Sequence, residues 1–142
     1  MKTLFRIVFI MAVLYYGSNW YIHLTEKKIE ESLPASAVQI LKKGDFVGSD
    51  ESHTSSGKVF VYDLGDTWLL RFDTFSVTNG PFLHVLLTKK DAPADAYDVS
   101  RLKGNSGNQN YTISKKVAVA EYDSVRIYSK LLRSEFAKVM LR

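Results

Sequence analysis

Two runs, Lys58-Val-Phe-Val-Tyr-Asp-Leu64 and Thr67-Trp-Leu-Leu-Arg-Phe-Asp73, flank a Gly65-Asp66 pair. The first alternates apolar and polar residues, and both are rich in β-branched and aromatic side chains. Successive side chains of a strand point to opposite faces, whereas a helix repeats every 3.6 residues. A period of two therefore commits these runs to strands, and the two residues between them predict a tight hairpin. This hairpin constrains the fold more than any other feature, because a lone hairpin is marginal and needs more strands or a second layer.

The following residues supply them. Val77-Thr-Asn-Gly-Pro81 predicts a turn, with Gly80 free to take positive φ and Pro81 fixing its own φ. Phe82-Leu-His-Val-Leu-Leu-Thr88 predicts a strand apolar enough to lie between layers. Lys89–Ala96 reads as a loop, Tyr97–Leu102 as a short strand, and Gly104–Asn110 as a loop dense in turn formers. Tyr111–Ser114, Tyr122–Lys130 and Phe136–Leu141 complete the set. In the second of these, Val125 and Ile127 face away from Arg126 and Tyr128. Short strands at regular spacing predict an all-β domain, an antiparallel sandwich or barrel, over residues 44–142.

The N-terminus differs. Lys2 and Arg6 precede ten residues, Ile7–Tyr16, interrupted by no polar group beyond the tyrosine hydroxyls. From Ile7 to Leu24 no Asp, Glu, Lys or Arg occurs, about 27 Å of helix at 1.5 Å per residue. Residues 1–24 are thus expected to form one transmembrane signal-anchor contacting the membrane through residues 4–24, with Trp20 and Tyr21 at one interface. The basic start predicts a cytoplasmic N-terminus and a domain on the extracytoplasmic side. Cleavage near Gly17-Ser18-Asn19 would instead release the domain as a secreted protein, but bulky Tyr16 suits a cleavage site poorly. Residues 25–43 read as a juxtamembrane connector: Thr25–Glu31 is charged and helix-compatible, and Ala37–Lys42 suits a short helix.

The residues exclude several chemistries. With no cysteine, disulfide scaffolds, thiolate metal sites and lipid-attached cysteine drop out. A net charge of +4 from 19 basic and 15 acidic residues is too mild and interspersed for a nucleic-acid surface. Asp45, Asp63, Asp66 and Asp73 lack EF-hand spacing. The serines lack the strand–turn–helix context of a hydrolase nucleophile, and Gly104–Asn110 lacks the ending of a phosphate loop. No metal site and no catalytic residue is assigned, and the chain reads as a non-enzyme. Asn110-Tyr-Thr112 matches a glycosylation sequon. Lys130, Arg133, Lys138 and Arg142 suit an acidic surface or a solvated strand edge.

Several short motifs fall in a specific order: Gly44-x-Phe46; His53 with Ser56-Gly57; Leu69 followed by Phe75; Asn79-Gly80-Pro81 before a leucine-rich strand; Leu102-Lys-Gly104; Gly107-x-Gln109-x-Tyr111; and Val125-x-Ile127-Tyr128-Ser129. In this order and spacing, residues 44–142 resemble the DM13 domain, a family of extracytoplasmic modules. The resemblance implies a link to electron transfer, a role proposed for the family through a late-strand cysteine that follows an Ile-aromatic pair. Ser129 stands at that position here, and a hydroxyl cannot shuttle between thiol and disulfide. Two functions are compatible with these residues. One is a non-catalytic binding or interaction module at the cell envelope, with a protein partner or ligand at an aromatic patch that includes Trp68, Tyr128 or Phe82. The other is a redox module that holds a cofactor such as haem on histidines. No cofactor is named by the residues; the positions that would contact one are His53, His84, Tyr128 and Ser129. His53 either fixes its own loop or joins Asp50 and Glu51 around a cation. His84 either packs half-buried or converges with His53. His23, at the end of the apolar run, marks the lipid interface.

Overall fold

The computed structural model describes residues 1–89 and 92–142, the side chains of residues 19–25, 92 and 93 excepted. A helix, α1 (Lys2–Thr25), precedes ten strands: β1 (Lys28–Glu30), β2 (Gln39–Asp45), β3 (Val47–Gly48), β4 (Ser55–Asp63), β5 (Thr67–Val77), β6 (Leu83–Lys89), β7 (Ala92–Arg101), β8 (Ser106–Ser114), β9 (Ser124–Ser129) and β10 (Ser134–Met140). They form two five-stranded sheets, in the orders β1-β8-β5-β4-β2 and β3-β10-β9-β6-β7. Every pairing is antiparallel except β1 with β8, which is parallel.

The period-two pattern drives this assembly. Val59, Val61, Leu70 and Phe72 of the first sheet meet Leu83, Val85, Leu87, Val125, Ile127 and Val139 of the second in one apolar core. Many of these side chains are wholly buried, each worth about 1.5–3 kcal/mol against exposure. Phe46, Phe72 and Phe75 form an aromatic cluster with centroids 4.6–5.0 Å apart. One seam between the sheets is stitched by reciprocal backbone bonds of 2.9 Å between Lys43 and Arg142.

The Gly65-Asp66 hairpin forms as expected, between β4 and β5. Other expectations are corrected. The charged segment after α1 becomes β1, and Ala37–Lys42 contributes to β2 rather than to a helix. Helical pairs such as Lys27 with Glu31 are worth only a few tenths of a kcal/mol, and long-range pairing outweighs them. The Lys89–Ala96 loop is shorter than expected, because β6 runs to Lys89 and β7 begins at Ala92. Lys90 and Asp91 lie outside the described residues. The glycine-rich stretch at 104–110 is mostly β8. Gly107 sits within it at φ 94°, where an added Cβ would fall 1.9 Å from the Ile29 carbonyl oxygen. Glycine there admits β1 rather than ending a strand.

The expected membrane crossing is also corrected: among the described residues, no helix is long and apolar enough to cross a membrane. The uninterrupted apolar run is ten residues, about 15 Å of helix and half a hydrocarbon core. Tyr15 and Tyr16 close it with hydroxyls, and Gly17 and Ser18 dilute the next turn. Leu4, Phe5, Ile7, Val8 and Phe9 are each more than half exposed. The side chains of Trp20, Tyr21 and His23 lie outside the described residues.

Candidate functional site

At one end of the two sheets a cavity of about 820 Å³ opens among the loops. His53 and the 78–83 segment line it, together with Arg101–Asn105, Leu132 and Phe136. The first wall is placed by cross-loop bonds. Thr54 N–H donates to Thr78 Oγ1 at 2.9 Å, and Thr78 N–H donates to the Thr54 carbonyl at 3.0 Å. This brings His53 beside Asn79-Gly80-Pro81.

His53 is held on two sides. Its Nδ1 lies 2.8–2.9 Å from the Asp50 carboxylate, and its ring packs at a tilt against Phe136, centroids 4.1 Å apart. The His53 hydrogen bond is the largest influence on the Asp50 carboxyl, which stays below its ordinary pKa. Gly80 also packs against Phe136, where a Cβ would fall 2.5 Å from the ring. Gly80 is not among the positive-φ residues, so the expected reason for glycine is replaced by another: close approach to an aromatic ring. The left-handed residue of this turn is Phe82, at φ 49°. A non-glycine residue held there stores strain, a frequent mark of binding loops.

The opposite wall hangs on the Gly107-x-Gln109-x-Tyr111 motif. Gln109, fully buried, donates from Nε2 to the carbonyls of Gly104 and Ser106 at 2.8 and 3.2 Å. Tyr111 donates its hydroxyl to Gln109 Oε1 at 2.5 Å and accepts from Lys103 N–H at 3.0 Å. Burial pushes the phenol far above its usual pKa, so it remains a donor.

Ser129 lies one layer behind the cavity. It shares the inward parity of Val125 and Ile127, is fully buried, and donates Oγ–H to the Pro81 carbonyl at 2.7 Å. It also accepts from Leu132 N–H at 3.1 Å. Both partners line the cavity, so Ser129 ties two of its walls without reaching the surface.

His84 and Tyr128 are elsewhere. They pair across β6 and β9 and take the parity opposite to the core residues. His84 Nδ1 contacts Asp98 at 3.1 Å, and Asp98 also binds Lys130. Burial raises the Asp98 carboxyl, but Lys130 and His84 bring it below its ordinary pKa. Neither His84 nor Tyr128 lines the cavity. A site of His53 with His84 is thus not assembled here.

Of the three aromatics expected in one patch, only Phe82 reaches the cavity. Trp68 is covered by Lys115, whose Nζ lies 3.2 Å from the ring centroid, and it donates to the Val117 carbonyl. Asp45, Asp63 and Asp73 enter separate ion pairs with Lys58, Lys115 and Arg71. Among the described residues no three His, Asp or Glu side chains are grouped to hold a metal. Asn110 of the sequon donates to the Ser32 carbonyl and accepts from Arg71. Arg101, Lys103, Leu132 and Phe136 were not singled out as site residues by the sequence. A Leu131-Leu132 pair in a charged turn, more than half exposed, was the one local hint.

The family model described as Electron transfer DM13 matches residues 45–141. No curated protein and no solved structure matches the chain.

Proposed function

The chain belongs to the DM13 family, and on that premise we propose that its domain is a non-catalytic binding module that receives its ligand or partner in the loop-end cavity. The observation that carries this reading is convergence. His53, Asn79-Gly80-Pro81, Leu102-Lys-Gly104, Gln109, Tyr111 and Ser129 come from five separate stretches of sequence, and they either line the cavity or hold its walls. The volume falls within the range of small-molecule sites.

We place the module on the extracytoplasmic side of a membrane. Support comes from α1: among its described side chains, the apolar residues from Leu4 to Leu14 stand mostly exposed. A basic start before a ten-residue apolar run fits an export signal rather than a span, so α1 supports passage of the domain without itself crossing. A reporter enzyme fused after Arg142 is expected to be active outside the cytosol. Activity confined to the cytosol would sink this placement.

A second reading, a redox module, is favoured by the family's description and by His53. With Nδ1 on Asp50, the imidazole keeps Nε2 for a ligand, an arrangement common at metal-bound histidines. Ser129 offers no sulfur to this reading. The full chain, released from membranes in mild detergent, separates the two by native mass spectrometry and visible absorption. A colourless chain carrying an organic species, lost when Leu132→Trp fills the cavity, is expected. A haem band would favour the redox module, and a chain that carries nothing would count against both.

A further inference from the structure

We infer that the cavity selects an amphiphilic organic anion, an acidic head on an apolar body; this rests on the binding-module reading. The apolar half is plain. Pro81, Leu83 and Phe136 lie along the cavity, and Phe82 and Leu132 stand at about half exposure. An exposed, strained phenylalanine beside an exposed leucine gives a body something to pack against.

The charged half is one-sided. Lys27, Arg101 and Lys103 line the cavity, and no aspartate or glutamate does. Lys103 is already neutralised, with Nζ 2.8 and 2.9 Å from the two Glu31 carboxylate oxygens. Asp50 likewise answers His53 from outside the lining. Arg101 is different. Its guanidinium lies over the Phe82 ring at 5.1 Å, and among the described residues no carboxylate pairs with it. A planar fork resting on an aromatic face suits two-point capture of a carboxylate. The same ring would touch the ligand's apolar body. Cationic and neutral ligands gain nothing from this rim, and cations are repelled by it.

Three near-isosteric probes decide the matter: 4-phenylbutyrate, 4-phenylbutanol and 4-phenylbutylamine, titrated into the ¹⁵N-labelled full chain in phosphatidylcholine nanodiscs. The amides of Gly80, Asn105 and Leu132 report the cavity itself. Phenylbutyrate is expected to shift them saturably, about tenfold more tightly than the alcohol, with the amine weakest. Arg101→Gln should abolish the preference for the acid while leaving the alcohol's affinity and the remaining spectrum unchanged. If acid and alcohol bind equally, the inference fails and the binding module stands. A preference that survives Arg101→Gln also overturns it, because the charge argued for is not the one used. If no probe moves these amides, both readings fail. Phosphatidylglycerol added to the nanodiscs tells the two sources of such an anion apart: shifts at the same amides, in competition with phenylbutyrate, name a lipid, and their absence names a soluble acid.

Discussion

The Ser129 hydroxyl donates to the Pro81 carbonyl at 2.7 Å, joining the end of β9 to a turn 48 residues earlier in the chain. The same oxygen accepts from Leu132 N–H, so one buried atom satisfies two backbone groups. Ser129→Ala orphans both. Both bonds are only part-buried, so stability should fall by about 1 kcal/mol, the low end of the cost of an unpaired buried group. Ser129→Cys should cost less, because sulfur remains a weak donor and acceptor. Its thiol should stay unreactive to an aqueous disulfide reagent until the domain unfolds. A loss for Ser129→Ala no greater than that of an exposed-site control would show that these bonds do not hold the walls.

Gly107 and Gly65 offer a matched pair. Both have positive φ, 94° and 88°. An L-residue there costs about 1–2 kcal/mol by itself. Gly65→Ala meets nothing within 4 Å and should show that cost alone. Gly107→Ala would also drive its Cβ into the Ile29 carbonyl and push β1 off β8. Trypsin should then cut after Lys27 and Lys28 much faster in Gly107→Ala than in Gly65→Ala. Equal rates would mean that β1 is not docked as described.

These glycines also mark where the sequence stops being legible. β4, β5, β6 and β9 carry their own signals, since period two and β-branched residues are local. β1 has three residues and one half-buried side chain, Ile29, and its partner lies 78 residues away at Ser106–Asn108. No local pattern encodes that. The glycines that make room for it look, in sequence, like a loop. The site divides the same way. His53 and Asn79-Gly80-Pro81 stand out as residue types, whereas their meeting depends on Thr54 reaching Thr78. Arg101 gives no signal, because its distinction is that no carboxylate among the described residues pairs with it, which only three dimensions reveal.

Acid should loosen the connector. Burial raises the Glu31 carboxyl, but the Lys103 hydrogen bond, the Asn110 amide and the nearby cations more than offset it and leave it below its ordinary 4.5. A depressed carboxyl stabilises fully above its unfolded value and loses that contribution as pH falls through the folded one. The full chain should therefore lose stability progressively below about pH 4.5. Glu31→Gln should start less stable near neutrality and show a shallower acid loss. Because Glu31 is partly exposed, the difference is expected to shrink in high salt. Parallel pH profiles for the two chains would rule Glu31 out as the group responsible.

Gly80 tests the cavity floor most directly. Its α-carbon rests on the Phe136 ring, and alanine would place a methyl 2.5 Å from one ring carbon and 2.6 Å from the next. The ring cannot yield freely, because Phe136 is buried and His53 packs against it, centroids 4.1 Å apart. Overpacking of this kind costs about 1–3 kcal/mol. If the clash is the cause, Phe136→Leu should remove it. That single substitution leaves a void and is destabilising by itself, yet Gly80→Ala added to it should cost far less than in the native background. The coupling energy from the four chains, measured by denaturant unfolding, is then expected to be favourable by at least about 1 kcal/mol, the range seen for residues in contact. Additive effects would mean that Gly80 serves its turn alone, and the tight floor inferred for the cavity would be lost with it.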